Sequence, residues 1–452
     1  MATAARTSVG ATFAKVDRDV LRTLWAPGRR YRIALAGVLA TLAFGLFCFV
    51  YQVKYGLGVA GYAGSVMWAT YIVNFVFWVG IAHSGTLISA ILYLFRSGWR
   101  TTINRSAEAM TIFAVMTAGL FPLIHLGRIW YFFYLIPYPN ERMIWPNFRS
   151  PLIWDFFAIS TYFTISAIFW YTGLIPDLAT IRDRVTGFKK KVYGLLSLGW
   201  QGTVREWRNY RKAYLIMAGI ATPLVLSAHS VVSWDFAMAI VPGWHSTIFA
   251  PYFVAGAIFS GIAMVITLLV PMRWAFGLQD YINEYHVENM AKCLLVTCWI
   301  VTYAYIAEYF MAWYSGDPIE WASFTWRATG DYAVPFAIMM TCNAVIPQLC
   351  WSRRIRRSLT AMFVISLFVN LGMWYERFVI IVSSLSHEFI PAQWSHYAPT
   401  WVEVGIAMGA FAWFILWFML FAKTLPAVSI TEIKEAAAEG YWAPGPAKED
   451  AA

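Results

Sequence analysis

Ten apolar stretches of membrane-spanning length run along this chain, at about residues 32–53, 66–95, 109–135, 151–176, 213–236, 249–272, 288–314, 331–351, 358–383 and 401–422. A helix rises about 1.5 Å per residue, so roughly 20 apolar residues cross about 30 Å of hydrocarbon. No other feature constrains the fold as much, because in lipid every backbone N–H and C=O must be satisfied within a helix or a closed barrel. Period-two alternation is absent, which excludes an outer-membrane barrel. Of 452 residues, 60% are hydrophobic and 13% charged, against about 25% charged in a soluble domain. A soluble enzyme, a disordered chain and a disulfide-stapled secreted domain are excluded together. Pro122, Pro223, Pro335 and Pro347 fall inside spans, where neighbouring helices satisfy the freed backbone groups. The expected fold is an all-α integral membrane protein of ten transmembrane helices.

The basic residues orient it. With the N-terminus in the cytoplasm, 28 Lys and Arg fall on the inner face, and only Lys54, Arg142, Arg149 and Arg327 on the other. Arg128 and Arg377 are counted within spans. The positive-inside rule then places both termini in the cytoplasm. The net charge of +10 reads as topology and attraction to anionic lipids, not as nucleic-acid binding. Residues 1–31 lack the short apolar core and cleavage site of a signal peptide and read as a cytoplasmic arm. The inner loop 177–212, with Lys189, Lys190 and Lys191, reads as an interfacial segment. The tail 423–452, polar and Ala/Pro-rich beyond Pro426, reads as an extended or disordered arm. Five Cys without a CxxC pair supply no disulfide or zinc framework, and Cys293 and Cys298 read as packing residues.

A weak repeat divides the chain. His83-Ser84-Gly85, Ile103-Asn104 and Glu108 recur as Phe259-Ser260-Gly261, Ile282-Asn283 and Glu288, displaced by 176 to 180 residues. That shift sets Arg128 opposite Glu308. The expectation is a parallel duplication, with a first four-helix bundle over 66–236 and a second over 249–383. Spans 1 (32–53) and 10 (401–422) flank them.

Ionisable groups at membrane depth are costly and point to function. Most gather in the outer half: His125 and Arg128 on span 3, Asp155 on span 4, His229 and Asp235 on span 5. Glu308 lies on span 7 and Glu376-Arg377 on span 9, with His245 in an outer loop. The inner half offers His83, Glu108 and Lys292. Histidine titrates near neutrality and a desolvated aspartate resists ionisation, so the two together can accept protons from a weak acid in an apolar slot. A quinol is such an acid, and Trp130, Tyr131, Phe132, Phe133, Tyr134, Trp154, Phe156 and Phe157 supply aromatic walls. Each group also has a plainer reading. A membrane histidine can bridge helices, Asp155 can serve the helix dipole, the arginines can neutralise nearby acids, and the aromatics can be an interface belt. Two haems would need four His in two layers, and only His83 lies in the inner half of a span. One haem on His125 and His229 is the remaining haem reading. No iron–sulfur motif, P-loop or dinucleotide fingerprint is present, so an electron acceptor must lie on another subunit. A secondary transporter, supported by the repeat, and an anchor without chemistry are the readings from other classes. Transporter sites favour broken helices at the midplane, whereas these charges are biased outward.

Four runs carry a resemblance: His125-Leu126-Gly127-Arg128, Pro151-Leu152-Ile153-Trp154-Asp155, Ser227 through Asp235, and Pro242 through Tyr252. With Trp374-Tyr375-Glu376-Arg377-Phe378, they resemble the NrfD/polysulfide-reductase membrane subunits, and more closely the ActC subunits of bacterial alternative complex III. The similarity extends over roughly residues 30–425. It implies the quinol-oxidising subunit of a respiratory or photosynthetic quinol:electron-acceptor oxidoreductase. Quinol or menaquinol is then the substrate, at a periplasmic-side pocket, with no haem or iron–sulfur cluster on this chain. It further implies an ActB-like iron–sulfur subunit, multihaem and monohaem c-type cytochromes, an ActF-like sister subunit and small membrane subunits as partners. The matching site positions are His125 and Asp155, completed by Asp235 and Arg377, with His245 beside them. The family is also associated with proton translocation, for which Glu308, Glu376 and His83 are candidates. The sister ActF role and other NrfD-type quinone-reactive anchors are the alternatives within the family.

Overall fold

The computed structural model describes residues 2–24, 27–136 and 148–438, with side chains from Thr12 onward. Arg142, counted above with the outer face, and tail residues 439–452 lie outside the described residues. Helix α1 (Ala2–Thr23) precedes α2 (Arg29–Tyr55), α3 (Thr70–Leu94), α4 (Asn104–Ala118) and its short continuation α5 (Leu120–His125). Then come α6 (Pro151–Arg182), α7 (Gly187–Leu196) and α8 (Val204–Ala237). The second half runs α9 (Phe249–Phe276), α10 (Glu284–Tyr314), α11 (Pro318–Thr329), α12 (Ala333–Met340), α13 (Arg353–Arg357), α14 (Leu359–Phe378) and α15 (Ser384–Ser386). Helices α16 (Trp401–Thr424) and α17 (Ile430–Ala438) complete the described chain. Among the described residues ten helices are long and apolar enough to cross a membrane, as the sequence predicts.

Local chemistry sets the helix starts. Thr203 with Glu206 and Thr400 with Glu403 form capping boxes at α8 and α16, and Pro151 follows Ser150 at the first position of α6. Each arrangement satisfies or removes backbone donors that a helix start leaves without partners. Pro347 has no N–H to give, and the span that α12 begins runs through a π turn at 341–345 into a tight 3-10 turn ending at Trp351.

The spans close two rings of contacts. Helices α3, α4, α6 and α8 touch in sequence and α8 returns to α3, while α9, α10, the α12 span and α14 do the same. The rings meet where α3 and α8 pack on α9. At that crossing the two repeated Ser-Gly motifs face each other. A Cβ on Gly261 would fall 1.3 Å from Ser84 Oγ, so the backbones approach as only glycine permits. Helices α2 and α16 pair outside the rings through Gly45 and Gly409, where a Cβ on Gly45 would lie 2.4 Å from Gly409 Cα. Helix α16 also rests on α3 and α4.

Both arms fold back onto one face, here called the terminal face; the opposite one is the distal face. Helix α1 packs on α17, with Asp17 bonded to Lys434 at 2.6 Å and to Arg184 at 2.5 Å. The tail expected as an extended or disordered arm is therefore, over 430–438, a docked helix with Ile430, Thr431, Glu432 and Ile433 buried. Span 3 is also shorter than expected at its distal end. Its helix stops at His125, Gly127 takes φ +69°, and residues 129–135 run as an exposed 3-10 segment. Arg128 is therefore exposed beyond the span rather than within it. Hydropathy misled here because five consecutive aromatics count as apolar wherever they lie. At the terminal face, α6 and α8 extend into the predicted 177–212 loop, and α7 presents Lys189, Lys190 and Lys191 outward while burying Tyr193.

Candidate functional site

Asp155 sits in the first turn and a half of α6, and Asp235 in the last turn of α8, both at the distal end of the first ring. Their carboxyl groups are within hydrogen-bonding reach of each other. Two carboxylates offer no donor, so this contact holds only when one group carries a proton. Oδ1 of each residue is buried without a hydrogen-bond partner among the described residues. Trp154 and Trp234 meet edge to face beside the pair, with centroids 6.0 Å apart. A protonated carboxyl beside an ionised one can both accept and donate a proton within one apolar wall.

His125 ends α5 at the same distal end. Its Nδ1 lies 3.1 Å from the Tyr62 hydroxyl. Tyr62 packs edge-on against Tyr71, whose hydroxyl donates to Gln52, and Gln52 Nε2 donates to the Ile124 carbonyl at 3.0 Å. The segment after α2 thus buttresses the histidine. This support was not legible in advance, since Tyr62 belongs to a connection and Gln52 is the one amide in an otherwise apolar run.

The other predicted residues form separate groups. His83 and His229 meet in the middle of the first ring with centroids 4.9 Å apart, both buried. His83 stacks on Tyr162 at 4.3 Å and shares a 2.7 Å contact between Nδ1 and the Val79 carbonyl. It lies one residue past the midpoint of α3 on the terminal side. His125 and His229, weighed above as a haem pair, thus have distinct neighbours, Tyr62 and His83. Arg377 contacts Glu376 rather than Asp235, and its guanidinium lies 4.8 Å from the centre of the Phe253 ring. Glu376 also accepts from Tyr305, and Asn343 Nδ2 donates to the Tyr305 hydroxyl at 2.9 Å. Glu308 and His245 line a cavity at the distal end of the second ring. Arg128 is exposed on the distal surface. Among the described residues no group of three or more His, Cys, Asp or Glu is arranged to hold a metal ion.

Sequence reasoning missed the largest buried ionic network, which lies at the terminal end of the first ring. Arg105 pairs with Glu108 at 3.2 Å and Asp177 at 3.3 Å, all fully buried. Arg100 grips Glu432 of α17 through both carboxylate oxygens at 2.6 and 2.8 Å. Thr431 donates to Asp177 through its amide at 2.9 Å and its hydroxyl at 2.8 Å. Arg100 and Arg105 fall among the basic residues assigned to the inner face, and Asp177 opens the 177–212 loop, because all three stand at span ends. The three-residue spacing of Arg105 and Glu108 was the available signal. Between this network and the histidines, α3 turns one polar face inward. Thr86 donates to Ser166 at 3.1 Å, and Ser89 to Glu108 at 2.5 Å. Residues 83, 86 and 89 repeat every three positions and so share a helix face.

Comparison with known proteins gives a consistent result. A family model described as "Polysulphide reductase, NrfD" matches residues 58–387. The chain is similar to a protein of Halobacterium salinarum named as a membrane subunit of a dimethyl sulfoxide reductase. The two are 25% identical over 446 residues, covering 90% of this chain and 94% of the relative. A selenate reductase subunit of Mesobacillus selenatarsenatis is 21% identical over 355 residues, covering 76% and 80% of the two chains. The Hdr-like menaquinol oxidoreductase integral membrane subunit of Archaeoglobus fulgidus is 22% identical over 241 residues, covering 52% of this chain and 50% of that one.

Proposed function

Because this chain belongs to the NrfD polysulphide reductase family of multi-pass membrane subunits, we propose that it is the quinol-oxidising subunit of a multi-subunit oxidoreductase, with its substrate site at the distal end of the first ring. The observation that carries this reading is the Asp155–Asp235 carboxyl contact, which needs one shared proton to hold and whose Oδ1 atoms have no donor among the described residues. A quinol releases two protons as it is oxidised, and such a pair can receive one where it already holds another. His125, held by Tyr62, positions or receives the second hydroxyl proton. Substrate enters sideways from lipid, and Trp154 and Trp234 supply the flat wall. The menaquinol named for the Archaeoglobus relative supports a quinol of that class.

The distal face is periplasmic in this reading and both termini are cytoplasmic, which the bias of basic residues supports. Electrons leave singly to an iron–sulfur partner docked on the distal face. In an alternative complex III assembly, where this chain takes the ActC role, they continue to c-type haems. The dimethyl sulfoxide and selenate reductase names of two relatives favour a second destination, a terminal reductase on the same face. Proton translocation is supported by the polar face of α3, which leads from His229 and His83 through Thr86 and Ser89 to Glu108. Quinol oxidation by intact complexes carrying Asp155→Asn or His125→Phe tests the site. Turnover should collapse in both, and near-normal rates in a fully assembled complex would refute it.

A further inference from the structure

A separate cavity of about 1040 Å³ opens at the distal end of the second ring, between the end of α8, the start of α9, α10 and α11. Its wall includes Trp234, Tyr303, Phe310 and Phe324. Tyr303 and Phe310 are more than half exposed on α10, one of the ten helices long and apolar enough to cross a membrane, so the rim of the cavity stands where acyl chains would reach it. Glu308 lies in its wall, 8% exposed, with Oε1 buried and without a hydrogen-bond partner among the described residues. His245 and Glu320 also line it, close enough to each other to interact. Arg327 stands behind Glu308, but its guanidinium donates to Ser383 and Ser384 at 3.1 and 2.8 Å.

A buried acceptor with no donor costs roughly 1–3 kcal/mol, which makes it a strong point of capture for an entering donor. The cavity suits one chemistry. Its aromatic wall fits a flat ring, its lipid-side opening passes an apolar tail, and its buried carboxylate needs a hydroxyl. A phosphate headgroup would face the carboxyl groups of Glu308 and Glu320, while Arg327 is turned to Ser383 and Ser384. We propose that this cavity is a second quinol-binding site, in which Glu308 Oε1 accepts a ring hydroxyl and His245 faces the other end of the ring. The inference takes its ligand class from the function proposed above and shares only Trp234 with that site, none of its ionisable residues. The two sites lie back to back on α8, since Trp234 lines the cavity while Asp235 turns to Asp155.

Photolabelling with an azido-naphthoquinone on the purified, assembled complex, followed by peptide mapping, tests it. Labels are expected both in the 148–160 segment and in 303–324. Glu308→Gln should weaken the second label about tenfold, the scale of losing a hydrogen bond to a charged group, while leaving the first unchanged. Ala307→Phe, which fills the cavity without touching the carboxylate, should abolish the second label and guards against misfolding of the first variant. Labelling only at 148–160 would overturn this inference and leave the proposed function standing. Labelling only at 303–324 would do the reverse, and labelling at neither would remove both. An ordered phospholipid in the cavity of the native complex, undisplaced by the quinone, would also overturn it.

Discussion

The two ends of the first ring each gather carboxyl groups, three buried ones at the terminal end and Asp155 with half-buried Asp235 at the distal end, and treat them in opposite ways. At the terminal end every carboxylate oxygen of Glu108, Asp177 and Glu432 has a donor: Ser89 and Tyr214, Arg105, Thr431, Arg100 and Asn104. At the distal end Asp155 and Asp235 face each other, and Oδ1 of each has no donor among the described residues. A satisfied buried network rigidifies a fold, whereas an unsatisfied one has a net cost unless a ligand completes it. The contrast separates architecture from chemistry better than residue type does, since both ends are acidic.

The contrast can be broken first at the terminal end. Arg105→Met strands Glu108 and Asp177 without their cation, a loss on the order of 3–5 kcal/mol for a broken buried ion pair. Intact protein recovered in mild detergent should fall sharply, and unchanged yield and thermal stability would show that the network is not structural. At the distal end Asp155→Asn should behave in the opposite way. Stability should hold or rise as the carboxyl–carboxyl contact becomes an amide–carboxylate hydrogen bond, while quinol oxidation drops by about a hundredfold or more, the scale of a lost acid–base group. Loss of folding with proportionate loss of activity would merge the two ends into one class.

Smaller changes sharpen the comparison. Glu432→Gln weakens the two-point contact with Arg100 by roughly 1.5–3 kcal/mol, so α17 should exchange its amides faster while the spans stay protected. Uniform protection would mean that the tail is held by Ile430 and Ile433 alone. Tyr62→Phe removes only the hydroxyl at His125 and should slow turnover by about tenfold or less at a stability cost near 1 kcal/mol. An unchanged rate would mean that His125 needs no positioning from the segment after α2.

The positions of the helices were readable residue by residue, and the reason is the solvent. Hydrocarbon imposes one long apolar run per span, so nine of the ten predicted stretches differ from the helices mainly in length at their ends. Span 3 failed where Trp130–Tyr134 imitated a membrane segment on an exposed surface, with Gly127 as the turn that hydropathy does not weigh. The docked tail failed for a complementary reason. Its nine residues look polar, and only the buried Arg100 and Asp177 on other helices explain why Thr431 and Glu432 are drawn inward.

Of the ten predicted site residues, the sequence alone ranked them by depth, because depth follows from counting along a span. It could not say which of them meet. Asp155 pairs with Asp235, His83 with His229 and Arg377 with Glu376, while Glu308 and His245 share a cavity of their own. Rotation of a helix about its axis moves a side chain by about 100° per residue, and that rotation is decided by packing such as the Ser84–Gly261 crossing. Ten spans, their order and the bias of basic residues are thus properties of the amino-acid sequence read against a bilayer. Which carboxylates are satisfied and which are left open belongs to the tertiary structure, because hydrogen-bond partners come from helices far apart along the chain.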